Sequence, residues 1–100
     1  MIRTALIGAC ALTLAAPALA GTAFTANLAE PVSERVTFVA NSAVWVCEGE
    51  TCVAELDRRS PTVRSCKQVA KEIGELATFA SERGALDEGE LERCNEAAKD

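Results

Sequence analysis

The segment "VWVCEGETC", residues 44–52, sets Cys47 and Cys52 around a Glu-Gly-Glu centre, and Cys66 and Cys94 follow at wide spacing. Thiols grouped in this way have three chemistries open to them: metal ligation, redox exchange and disulfide formation. Four-cysteine zinc sites use paired short spacings, which C-x4-C followed by two isolated cysteines lacks. Redox pairs favour C-x-x-C and an electropositive setting, whereas Glu48 and Glu50 would repel a thiolate here. Disulfides are the remaining chemistry, and an even number of cysteines in a small exported chain is their ordinary signature. No metal and no cofactor is expected.

A hairpin over 43–56 sets Cys47 directly opposite Cys52, and facing residues of a non-hydrogen-bonded pair have Cβ atoms about 4.5–5.5 Å apart. Cys66 and Cys94 each sit on the apolar stripe of a predicted helix. Cys47–Cys52 with Cys66–Cys94 is therefore the favoured pairing, on local geometry alone. Loop closure gives these rings ~2.2 and ~3.6 kcal/mol, while the pairing 47–66 with 52–94 scores roughly 1.5 kcal/mol more, so the alternatives stay open.

Where such bonds form depends on compartment. The first twenty residues, "MIRTALIGACALTLAAPALA", have the layout of a secretory signal. Arg3 precedes an apolar run from Ala5 to Ala16, interrupted by Thr13, and Pro17 leads to the small-x-small triplet Ala18-Leu19-Ala20. Cleavage after Ala20 is expected, leaving one mature domain over 21–100 with 97–100 frayed. The run is short for a membrane anchor of ~20 residues, so no stable membrane insertion is expected after cleavage. "IGAC" at 7–10 is only a loose lipoprotein box. A chain this small buries ~60–65% of its unfolded surface, which makes crosslinks physically expected.

Removal of the leader takes Arg3 and Cys10 with it. Nine Lys plus Arg then face 15 Asp plus Glu, a net charge of −6, which argues against nucleic acid or an anionic membrane as the main partner. Histidine and tyrosine are absent. That excludes Ser-His-Asp and Cys-His catalysis, histidine ligands and a histidine pH switch. No enzymatic activity is expected.

The elements that position the cysteines follow from periodicity. Residues 23–28 form an edge strand, and Val36, Phe38 and Ala40 alternate with Thr37 and Val39 in a second strand. Asn41-Ser42 is a turn, "AVWVC" and "CVAEL" pair as a hairpin, and Glu48-Gly49-Glu50-Thr51 is its loop. Ser60 as N-cap with Pro61 at the first helical position starts a helix whose stripe is Val63, Cys66, Ala70 and Ile73, stopped by Gly74. "ELATFA" (75–80) is a short strand and Ser81 to Gly84 its turn. Asp87 with Glu90 opens a second helix with the stripe Leu91, Cys94 and Ala98. The predicted fold is a small α+β domain: a three- to four-stranded antiparallel hairpin or meander followed by two helices packed on one face.

Trp45 shares a strand face with Cys47 and belongs to the core. Val44, Val46 and Val53 point to the opposite face, which is either covered by another segment or a docking surface. Arg58, Arg59, Arg64, Lys67 and Lys71 cluster near the first helix's start and read as a solvated face rather than an anion site. Glu88, Glu90, Glu92 and Glu96 lack the spacing of a calcium loop and complement the last helix's start.

Taken together, "AVWVCEGETCVA", "RSPTVRSCKQVAKEIG" and "FASERGALDEGELERCN" resemble a family of small exported four-cysteine proteins of alphaproteobacteria. Its pattern is V-W-x-C-x-G-x-T-C, an S-R-P helix start and a G-x-L-x-x-x-x-L-x-x-C-N ending. Trp45, Cys47, Gly49, Thr51, Cys52, Cys66, Gly84, Leu86, Leu91, Cys94 and Asn95 match it, while Arg59-Ser60-Pro61 departs slightly. The resemblance implies export and no catalytic site. The expected function is a non-catalytic periplasmic or secreted module that binds a protein or a cell-envelope component through Val44, Val46 and Val53. The alternative is an inhibitor or effector that presents Glu48 and Glu50 on the loop ending at Thr51.

Overall fold

Phe24, Ala26 and Leu28 alternate with Ala23, Thr25 and Asn27 along β1 (Thr22–Leu28), and only the first set is buried. The computed structural model describes residues 21–98, so the expected leader, residues 1–20, lies outside the described residues. After β1 come β2 (Val36–Ala40), β3 (Ala43–Glu48), β4 (Thr51–Leu56), α1 (Val63–Ile73), β5 (Leu76–Ser81), β6 (Gly84–Ala85) and α2 (Glu88–Asn95). The strands form one antiparallel sheet in the order β2-β3-β4-β1-β5-β6. Both helices lie on its inner face, where α1 packs beside β2, α2 beside β5, and the helices touch each other.

Four expectations are corrected. The sheet has six strands, and β1 is interior rather than at an edge, with Phe24 facing Ala54 of β4 on one side and Ser81 of β5 on the other. Pro31, which marks an edge when it falls within a strand, lies beyond the end of β1 and removes no ladder bond. The hairpin loop is two residues, because Glu48 and Thr51 pair with each other. Gly49 at φ 60° supplies the positive angle that this turn requires at its first position. Finally, α1 starts at Thr62 and not at Ser60. The Thr62 Oγ1 accepts from the Ser65 N–H at 3.0 Å, and the Ser65 Oγ accepts from the Thr62 N–H at 3.2 Å. That reciprocal box satisfies two donors at once, which Ser60 could not do, and leaves Pro61 just outside the helix.

The remaining ends follow the sequence closely. Asp87 and Glu90 cap α2 reciprocally, at 2.8 and 3.0 Å. Gly74 closes α1 with φ 114°, and its N–H donates to the Ala70 carbonyl at 2.9 Å. Asn41 and Ser42, at φ 58° and 59°, form a two-residue turn of the kind whose twist matches a hairpin. Along β5 the register slips against β1, with Asn27 facing Thr78 but Leu28 facing Leu76. The extra residue lets Leu76 and Phe79, three positions apart, both point inward.

All four aromatic side chains of the sequence meet in one contiguous chain. Phe38 stacks on Trp45 at 6.3 Å, Trp45 meets Phe79 at 6.0 Å, and Phe79 meets Phe24 at 5.6 Å. The buried indole N–H of Trp45 donates to the Ala40 carbonyl at 3.2 Å, so its polar edge is not orphaned. Phe79→Ala is expected to lower stability by roughly 3–5 kcal/mol. Val39→Thr, on the opposite face, should change it by no more than about 0.5 kcal/mol. Urea unfolding with the disulfides intact compares the two, and similar losses would show that the ring chain is not the core.

Candidate functional site

The four cysteines among the described residues are fully buried and bonded in two pairs. Cys47 and Cys52 face each other across β3 and β4 with Cα atoms 4.0 Å apart. The flanking pair Glu48–Thr51 closes a two-residue turn and is hydrogen-bonded, so alternation makes the cysteine pair the close, non-hydrogen-bonded kind. Cys66 of α1 and Cys94 of α2 join the helices with Cα atoms 5.6 Å apart. With every described sulfur committed, none is a thiolate available to a metal or to disulfide exchange.

The outer face of the sheet carries the candidate binding residues. Val39, Val44 and Val53 are 65%, 60% and 48% exposed. Strand register assembles them with their neighbours into rows: Val39 faces Val44, and Val46 faces Val53. The second row runs across all six strands, from Thr37 through Val46, Val53, Thr25 and Ala80 to Ala85. That row contains no charged and no large side chain, while Glu48 and Glu55 stand on the rows beside it. Val46 and Val53, with Glu48 and Thr51, line a shallow depression of about 340 Å³. The structure thus brings Val46, Val53 and Glu48 together, sets Val44 one row away, and leaves Glu50 on the turn.

The turn itself is held down. The Gly49 carbonyl accepts from the Val32 N–H at 2.8 Å, and the Glu50 carbonyl accepts from the Leu28 N–H at 2.7 Å. Glu48 pairs with Arg35 at 3.5 Å, both largely exposed. Two backbone bonds, one from the last residue of β1 and one from the β1–β2 connection, make this a docked turn and not a projecting arm.

Of the basic residues near α1, Arg58 and Arg64 converge on Asn41, Ser42 and Gln68 around a depression of about 310 Å³. Arg59 instead offers its carbonyl to the Ser81 hydroxyl at 2.7 Å. Two further residues matter beyond those singled out by the alternation. Val39 joins the outer face once its register with Val44 is known; its position opposite Phe38 was the available signal. Asn95 binds the start of β5 twice, its Oδ1 accepting from the Leu76 N–H and its Nδ2 donating to the Leu76 carbonyl, both at 2.9 Å. That clamp ties the end of α2 to the sheet, and only its place beside Cys94 in the sequence hints at it.

Among the described residues, no group of three or more acidic or sulfur side chains is arranged to hold a metal ion, and no helix is long and apolar enough to cross a membrane. The two buried disulfides point to a non-cytoplasmic location. Replacing Cys66 and Cys94 together by alanine is expected to cost about 3–4 kcal/mol, and replacing Cys47 and Cys52 about 2 kcal/mol, following ring size. Urea midpoints of the two double variants measure this, and a larger loss at the hairpin would contradict the ordering.

The model of a family of unknown function, DUF8200, matches residues 8–96, and the chain belongs to that family. No curated protein and no solved structure matches it.

Proposed function

We propose that this member of a family of unknown function is an exported, non-catalytic binding module that engages an apolar partner through the outer face of its sheet. The observation that carries the reading is the exposed valine cluster, with Val39, Val44 and Val53 on neighbouring rows of the outer face and Glu48 and Glu55 at its margins. An ordinary half-exposed antiparallel sheet turns polar residues to water, so a cluster of exposed valines on that face marks a contact surface. The partner is a protein or a cell-envelope component of the compartment into which a bacterial leader would deliver the chain. Support for a non-catalytic role comes from chemistry: the sequence has no histidine, and the described sulfurs are all bonded. The docked geometry of Gly49 and Glu50 favours the sheet face over the turn as the recognition element.

Two measurements test this. Intact mass of the protein recovered from the producing cells, with and without denaturing thiol alkylation, should show loss of residues 1–20 and no alkylated cysteine. A mass retaining the leader, or four alkylated thiols, would refute export with disulfides. For the surface, a photocrosslinker placed at position 44 should give discrete adducts in the envelope fraction that disappear with Val53→Glu, while the unfolding free energy from urea titration stays within about 0.5 kcal/mol of the parent. The same adducts from a crosslinker at exposed Asp57, or adducts that survive Val53→Glu, would sink the face as the binding site.

A further inference from the structure

The two edges of the sheet differ. At one edge, β6 has two residues and offers almost nothing to pair with. At the other, β2 has five residues, Val-Thr-Phe-Val-Ala, with unbroken register to β3 and with no proline, lysine or bulge to blunt it. Natural edges normally carry such devices, so an undefended one invites another strand. Ala40 and Ala43 flank a two-residue turn and are therefore hydrogen-bonded, which by alternation turns Phe38 and Val36 toward β3 as well. Thr37 and Val39 then aim their N–H and C=O groups at the open edge.

Helix α1 runs alongside this edge in the opposite direction. At its start the Ser65 carbonyl accepts from the Asn41 side chain at 3.2 Å. At its end Glu72 and Ile73 line a groove of about 790 Å³ with Val32 and Val36. Arg64, Gln68 and Glu72, at i, i+4 and i+8, fall on one stripe of the helix. Arg64 and Gln68 lie toward the Asn41 end of β2, and Glu72 lies toward the Val36 end. Along the side that lines the two depressions the stripe is thus positive at one end, neutral at its middle and negative at the other, while Lys71, also exposed, lines neither depression. Among the described residues the one ion pair within 4.0 Å joins Arg35 and Glu48, so Arg64 and Glu72 are unpaired.

A pattern of this kind is its own complement when reversed. We propose that β2 pairs antiparallel with β2 of a second copy about a two-fold axis, joining the two sheets edge to edge. The register that satisfies the outward backbone groups sets Thr37 against Val39 of the second copy and Phe38 against its equivalent. Arg64 then approaches Glu72 of the second copy, twice by symmetry, with Gln68 near the axis. Phe38, half-buried and stacked on Trp45 with its far side at the edge, becomes covered by the other Phe38. A two-fold contact requires this self-complementarity of one patch, and charge, register and the exposed ring supply it together. The proposal uses the edge and stands apart from the outer face.

Sedimentation equilibrium of the purified protein, disulfides intact, gives the test. Parent protein should show a concentration-dependent dimer. Arg64→Glu or Glu72→Arg alone turns both symmetric attractions into repulsions and should raise the dimer Kd roughly tenfold. The double variant Arg64→Glu/Glu72→Arg should return to within about threefold of the parent. Val39→Pro, which deletes an N–H aimed at the edge without removing a bond to β3, should abolish the dimer. Val44→Glu, on the outer face, should leave it unchanged. A monomer at all concentrations, a dimer lost with Val44→Glu, or a double variant weaker than either single would each overturn the proposal.

Discussion

A body of this size cannot spare a loose helix, and the bond between Cys66 and Cys94 is what keeps α1 and α2 from being loose. Each helix covers part of the aromatic chain that runs from Phe38 to Phe24. Helices this short, 11 and eight residues, are not stable on caps and propensity alone. Val69 and Ala70 supply apolar burial for α1, but α2 buries fully only Cys94. The second helix therefore stays in place through a sulfur bond on one side and the Asn95 clamp on Leu76 on the other. Two directed contacts stand in for the apolar area that a longer helix would bury.

Much of this was legible in the sequence because it is local. Alternation and turn residues mark β2, β3 and β4, and the capping pair Asp87–Glu90 marks α2. The interior place of β1 was not legible. Its partners lie far along the chain, with Thr22 against Leu56 and Phe24 against Ser81, and nothing near residues 22–28 reports them. The start of α1 was misplaced because Ser60-Pro61 and Thr62 both offer a plausible cap, and only the Ser65 hydroxyl decides between them. For the candidate site, Val44, Val46 and Val53 follow from period two alone. Their extension to Val39, Thr25 and Ala80 depends on register across strands, which a single strand's pattern does not encode.

The two sides of the sheet divide the work. The inner side spends the large residues, Trp45, Phe24, Phe79, Leu56 and Leu76, under the helices. The outer side keeps mostly β-branched and small residues, which sit well on a pleated strand, with Glu48 and Glu55 among them. An exposed valine cluster and an unguarded edge are both features that evolution usually removes from exposed sheets. Here they occur together on the β2–β3 side, where Val39 belongs to the face and to the edge at once.

The central position of β1 separates pairings that are local in the chain from pairings that are distant. In chain order β1 comes before β4 and long before β5. Its own pairings span long stretches of chain, whereas β2, β3 and β4 pair as adjacent hairpins and Cys47 meets Cys52 within one of them. Residues 76–81 pair along the other side of β1. The hairpin disulfide thus closes a ring wholly within residues 47–52, while the sheet around it is complete only with a strand that lies more than twenty residues further along the chain.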